Sequence, residues 1–98
     1  MAYRVLFSSK AARQFKKLTP ALQQKVRDLL TDVAAEPYLK SLILSADLAR
    51  LRYIKFSYQG VPYRIVFTVS EERQEIGVLF LGTRQNFYRD LKRYVRSL

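Results

Sequence analysis

After Asp47 the apolar residues of this chain stop recurring every three or four positions and begin to alternate. This switch of period, from near 3.6 to 2, is the strongest constraint on what the chain can fold into. Upstream, Ala11, Ala12, Phe15 and Leu18 mark one short amphipathic helix, and Leu22, Val26, Leu29, Leu30 and Val33 mark a second. Downstream, Leu48 to Phe56, Pro62 to Val69 and Glu75 to Leu81 read as strands. A turn holding Gly60 and a polar turn over 70–74 separate them, as in an antiparallel meander.

The flanking segments complete the order. Tyr3 to Phe7 is short and β-rich, and predicts a first strand. Ser8 and Ser9 offer an N-cap for a helix from about Ser9 to Leu18. Thr19 caps the second helix with Pro20 at its first position, and that helix stops before Pro37. Tyr38 to Asp47 has no decisive pattern and stays unassigned. From about Gln85, the spacing of Phe87, Leu91, Val95 and Leu98 predicts a C-terminal amphipathic helix. The order β-α-α-β-β-β-α predicts one α+β domain over residues 1–98, with a helical hairpin on a mixed, mostly antiparallel sheet and the helices on one sheet face.

Composition narrows the function. No apolar run approaches the roughly 20 residues of a membrane span, and MAYRVLF is not a signal peptide. With neither Cys nor His, the chain has no disulfides and none of the usual zinc sites. No metal, cofactor or membrane partner is expected, and the cytoplasm is the expected location. Any chemistry must come from Lys, Arg, Tyr or a carboxylate. Eighteen basic against eight acidic residues give +10, which predicts affinity for phosphate backbones.

The charge concentrates where the strands are. Between Leu48 and Ser70 stand Arg50, Arg52, Lys55 and Arg64, interleaved with Tyr53, Tyr58 and Tyr63, and no carboxylate. Alternation puts Lys55 and Arg64 on one open face with Tyr53 beside them, and Arg52 on the core-facing side, where it must snorkel or mark an edge. Arg84 follows the last strand, and Arg84, Tyr88, Lys92 and Arg96 form an i, i+4 row. Lys55, Arg64, Arg84 and Tyr88, with Tyr53 near, therefore form a candidate phosphate site with aromatic platforms, the alternative being a solvated sheet face with snorkelling bases. Arg50, Arg52, Tyr53, Arg89, Lys92, Arg93 and Arg96 are candidate RNA contacts, with arginine gripping phosphate and tyrosine stacking on bases. The bases Lys10, Arg13, Lys16 and Lys17 read as a solvated helix face, and Tyr38, Tyr58 and Tyr94 as packing or turn residues.

Three pieces, YRVLFSSKAARQFKKL, the hairpin LRYIKF…YRIVF, and LGTRQNFY, resemble the RelE/ParE toxins of bacterial toxin–antitoxin modules in order and spacing. The resemblance implies a RelE-like microbial-RNase fold and a cognate antitoxin as partner. It also implies one of two activities: RelE-like members enter the ribosomal A site and cut mRNA, whereas ParE-like members poison DNA gyrase. The RelE-like pattern has a base in the second strand, an Arg in the third, an Arg after the last strand and a Tyr beyond. These match Lys55, Arg64, Arg84 and Tyr88. RelE itself has a second Lys where this chain has Tyr53, and its Tyr comes later.

The resemblance therefore implies a metal-independent endoribonuclease that uses the substrate's 2′-OH as nucleophile. Lys55 would be base or charge stabiliser, Arg64 would hold the phosphate, and Arg84 would assist the transition state or the leaving group. Tyr88 or Tyr53 would stack a base. The basic surface would meet 16S rRNA of a ribosome carrying mRNA. A gyrase inhibitor without nuclease activity, and a non-catalytic RNA- or ribosome-binding module, are the alternatives.

Overall fold

The computed structural model describes residues 2–44, 48, 50–83, 85 and 87–97. Its elements are β1 (Arg4–Phe7), α1 (Ser9–Lys16), α2 (Pro20–Ala35), β2 (Leu42–Ile43), β3 (Arg52–Tyr58), β4 (Val61–Ser70), β5 (Glu75–Thr83) and α3 (Phe87–Arg96). The predicted caps hold both helices of the hairpin. Ser8 Oγ accepts from the Ala11 N–H at 3.0 Å, and Thr19 Oγ1 accepts from the Leu22 N–H at 3.3 Å. Each such cap is worth about 1 kcal/mol.

The strands form one five-stranded sheet in the order β1-β5-β4-β3-β2. β1 runs parallel to β5, and every other pair is antiparallel. The mixed, mostly antiparallel sheet is as expected, but two expectations are corrected and part of the unassigned segment is filled. The strand expected over Leu48–Phe56 lies at Arg52–Tyr58. Leu48 and Leu51 are instead drawn into a core, with the Leu51 N–H donating to Leu48 O across a turn. At its far end the hairpin turns on Gln59 and Gly60 alone, with φ of 51° and 78°. Such a two-residue turn matches the strand twist and lets pairing run up to Tyr58. The unassigned segment supplies the short edge strand β2, which pairs Leu42 with Tyr53 and Ile43 with Arg52.

The second correction concerns layers: the helices do not share one sheet face. α1 and α2 bury Ala11, Val26, Leu30, Val33 and Ala34 against Ile54, Ile65, Phe67, Ile76, Val78 and Leu81. Phe87 and Leu91 of α3 belong to a second core with Val66, Phe80, Leu44, Leu48 and Leu51. Ile65 and Phe67 go to one core and Val66 between them to the other, as strand alternation requires. The α3 face is therefore the face that carries Lys55 and Arg64.

A bulge makes the second core possible. Val66 opposes Phe80, but the next residue, Phe67, opposes Val78, so Leu79 is the extra residue on β5. Ile76 and Val78 share parity with Phe80 in the sequence, yet they face the hairpin while Phe80 faces α3. The inserted residue reverses the alternation. α1 protects this irregular edge. β1 pairs with β5 only as far as Val78. Beyond it, the Ser8 hydroxyl donates to Leu79 O at 2.9 Å, and the Leu81 N–H donates to Gln14 Oε1 at 2.8 Å. A glutamine side chain thus takes the place of a strand partner.

A polar clamp ties the segment before β2 to the sheet. Arg52 Nε donates to Ser41 Oγ at 2.6 Å, and its Nη2 donates to Tyr38 O at 3.2 Å and Ser41 O at 3.3 Å. The guanidinium lies 5.1 Å from the Tyr38 ring centroid. Glu71, in the β4–β5 turn, accepts from Tyr3 Oη at 2.8 Å and from the Tyr38 hydroxyl. The hydrogen bond to Glu71 pushes the Tyr38 phenol up to about 12. The same carboxylate raises Tyr3. Hydrogen bonds from Tyr38 and then Tyr3 hold Glu71 below its ordinary value.

Two outcomes are expected. Gln14→Leu leaves the buried Leu81 N–H unpaired, and urea unfolding should record a loss of about 1–3 kcal/mol; unchanged stability would contradict the edge-covering role. For the clamp, a phenol raised in the fold stabilises fully below its unfolded value of 10.0, and that contribution disappears as pH rises through about 12. Glu71 has the opposite sign: its contribution is complete above the ordinary 4.5 and is lost as pH falls through its lower folded value. In Glu71→Gln, ultraviolet titration should bring the latest-ionising tyrosine down toward 10.0. Superimposable titration curves would exclude the clamp.

Candidate active site

Lys55 and Arg64 are direct cross-strand partners on β3 and β4. Side chains in such a pair stand with Cβ atoms about 4.5–5.5 Å apart, where like charges destabilise a sheet. Arg64 faces Gly82 on its other side, so no β5 side chain competes for its space. Lys55 is exposed and Arg64 half-buried. A depression of about 300 Å³ beside them is lined by Lys55, Phe56, Ser57, Pro62, Tyr63 and Arg64.

α3 delivers the aromatic partner. The Arg64 guanidinium lies 5.2 Å from the Tyr88 ring centroid and 5.9 Å from that of Phe87. Phe87 is buried and meets Phe80 edge-on, with centroids 5.2 Å apart and an interplanar angle of 85°. Tyr88, the next residue, is 38% exposed, which leaves ring surface available to a ligand. Tyr88 follows the buried Phe87 on α3, and its ring covers Arg64.

Of the candidate catalytic residues, the fold brings Lys55, Arg64 and Tyr88 together. Arg84 lies outside the described residues. Tyr53 shares the face of Lys55 and packs on the second core beside Val66. Arg52 points to the opposite face, and the donors expected to grip RNA are occupied in the clamp around Ser41 and Tyr38. Arg50 is an exposed turn residue at the Arg52 end of β3. Arg89, Lys92, Arg93 and Arg96 all lie on α3. Arg89 also donates to Asp90 Oδ1 at 3.3 Å.

Sequence reasoning missed the framework that aims Arg64: Phe80, Phe87 and the bulge that turns Phe80 toward α3. The consecutive apolar run Val78-Leu79-Phe80-Leu81 has no alternation to read. A more apolar cavity, of about 600 Å³, lies elsewhere, between β1 and the hairpin. It is lined by Val5, Phe7, Phe15, Leu30 and Ala34, with Lys16 and Arg27 also present. Its apolar lining suits packing by another chain and offers no acid–base pair. Chemically, the Lys55–Arg64–Tyr88 arrangement can neutralise a phosphodiester between two cations and stack a base on a phenol ring.

Similarity to known proteins agrees with this architecture. The model of the ParE-like toxin family of type II bacterial toxin–antitoxin systems matches residues 5–92. A RelE-like toxin protein of Escherichia coli is 30% identical over 89 residues, covering 87% of this chain and 86% of its own length. Among solved structures, the RelBE2 toxin–antitoxin complex of Mycobacterium tuberculosis contains a chain with a TM-score of 0.75 at 24% identity, covering 86% of this chain and 100% of that one. An arginine-to-alanine double mutant of E. coli toxin RelE in the free state gives 0.73 at 23% identity, covering 95% and 98%. The chain belongs to the ParE-like toxin family of type II bacterial toxin–antitoxin systems.

Proposed function

We propose that this toxin is a ribosome-dependent endoribonuclease that cuts mRNA in the A site by metal-independent attack of the substrate's own 2′-OH. The observation that carries the reading is the pair Lys55 and Arg64, held directly opposite each other at a cost to the sheet and roofed by Tyr88. Such a pair gains most when an anion bridges it. The 2′-oxygen attacks phosphorus as the bond to the 5′-oxygen breaks, which leaves a 2′,3′-cyclic phosphate and a 5′-hydroxyl. Arg64 grips the scissile phosphate and neutralises the charge that grows on it. Lys55 either takes the 2′-OH proton or shares in that neutralisation. Arg84, the second arginine of the RelE-like pattern, assists the leaving oxygen, and Tyr88 stacks a base. The ribosome supplies positioning, so naked RNA is a poor substrate. The exposed bases of α3, Arg89, Arg93 and Arg96, meet ribosomal RNA.

The partner in the uninhibited cell is a cognate antitoxin, as the RelBE complexes among the structural relatives suggest. An acidic segment of it folding over the basic face would quench the charge pair. DNA gyrase is the second target to consider, because the matching family model is described as ParE-like. Poisoned gyrase would signal DNA damage without any cut in mRNA.

The variants separate the roles. Arg64→Ala should slow cleavage of ribosome-bound mRNA by about 10²–10³ while thermal unfolding stays within a few degrees of the parent. Lys55→Arg keeps the charge and loses the base. If Lys55 only neutralises charge, Lys55→Arg retains most of the rate that Lys55→Ala loses; if it is the base, the two fall together. A folded Arg64→Ala protein that cuts at the parental rate sinks the assignment.

A further inference from the structure

Lys10, on α1, reads from the sequence as one of four solvated bases. In the fold its Nζ stands 5.9 Å from the Phe80 ring centroid and 5.9 Å from that of Tyr94. Those rings come from β5 and α3 and lie 6.2 Å apart. The contacts continue without a break toward the charge pair. Phe80 meets Phe87 at 5.2 Å, Phe87 meets Tyr88 at 5.9 Å, and Tyr88 covers Arg64 at 5.2 Å. The near end of this chain is firmly held, since Ser8 and Gln14 tie α1 to β5 on either side of Lys10.

α3 is gripped unevenly. Its buried side chains, Phe87 and Leu91, lie in its first half, while Tyr94 and Val95 are only partly buried. Lys10 meets the helix at Tyr94, in the weaker half. A groove of about 390 Å³ between α1 and α3 is lined by Lys10, Gln14, Asp90, Arg93, Tyr94 and Ser97. Asp90 supplies a carboxylate there to offset the two cations, besides its contact with Arg89.

We infer that Lys10 is a positioning residue: by clamping the second half of α3 to α1 through the rings of Tyr94 and Phe80, it holds Tyr88 over Arg64. The inference rests on the reading of Lys55, Arg64 and Tyr88 as the working site. It assigns Lys10 no contact with substrate. The ammonium is required for its attraction to the ring faces, so a cation of similar length should substitute and an apolar isostere should not.

Hydrogen exchange by NMR on the free protein tests this. Lys10→Met should lower the protection of the α3 amides from Leu91 to Val95 roughly two- to fivefold, while the β4–β5 ladder is unchanged. Lys10→Arg should restore it. Tyr94→Leu, which keeps apolar bulk and removes the ring, should reproduce the loss and covers the case of a misfolded Lys10 variant. The Arg64 Hε resonance, shifted by the Tyr88 ring, should move toward the free-arginine position in Lys10→Met and return in Lys10→Arg. Unchanged α3 protection overturns the inference, as does a uniform loss that includes the ladder, or an arginine variant as damaged as the methionine one. Cleavage of ribosome-bound mRNA by the unmodified protein is a separate assay. Its absence would remove the nuclease reading and leave the exchange result on Lys10 standing.

Discussion

One extra residue in β5 organises this molecule. Because Leu79 has no partner of its own between Phe80 and Val78, Phe80 crosses from the hairpin face to the α3 face. Its ring then receives Phe87 edge-on, and the next residue, Tyr88, lies against Arg64. A regular ladder would turn Phe80 toward α1 and α2, and Phe87 would lose the ring it meets edge-on. The bulge has its own requirement, since it disturbs an edge that β1 covers only in part. Ser8 and Gln14 meet that requirement from α1. The sheet irregularity, the hydrogen bonds of the first helix and the aim of the last helix form one dependent set.

The electrostatics fit the same arrangement. A net charge of +10 on 98 residues predicts self-repulsion. Some of the cations have partners within the fold. Arg52 spends its donors on Tyr38 and Ser41, and Arg27 lies 5.2 Å from the Phe15 ring centroid. Lys55 and Arg64 face each other across the sheet, and no carboxylate occurs between Leu48 and Ser70. A local rule broken in an otherwise satisfied structure is where function is to be sought. Among the described residues, no buried side-chain nitrogen or oxygen lacks a partner.

The legible features were those with local causes. Two hydroxyl caps, Pro20 and Pro37 set the hairpin because they act on neighbouring residues. Parity alone put Lys55 and Arg64 on one face, and that survived a strand displaced to Arg52–Tyr58, since moving its ends does not change which residues alternate. The unreadable features depend on distant partners. Val78 to Leu81 is apolar throughout, so neither the bulge nor the face taken by Phe80 can be read from it. The two-residue β2 exists because it pairs with Arg52 and Tyr53. Gln59 takes a positive φ that its residue type does not announce. The amphipathic pattern of α3 predicted a buried stripe, but not that a second core across the sheet would receive it. Lys10 passed as a solvated base because its aromatic partners are about 70 and 84 residues away.

The central claim is that this charge pair with its tyrosine roof cuts RNA on the ribosome. The most direct measurement incubates the purified protein with ribosomes programmed with a defined mRNA and maps the new ends by primer extension, beside a supercoiling assay with DNA gyrase. The account predicts a single cut within the A-site codon, with a 5′-hydroxyl on the downstream fragment, and unimpaired supercoiling. Intact mRNA together with gyrase trapped on cleaved DNA would contradict it.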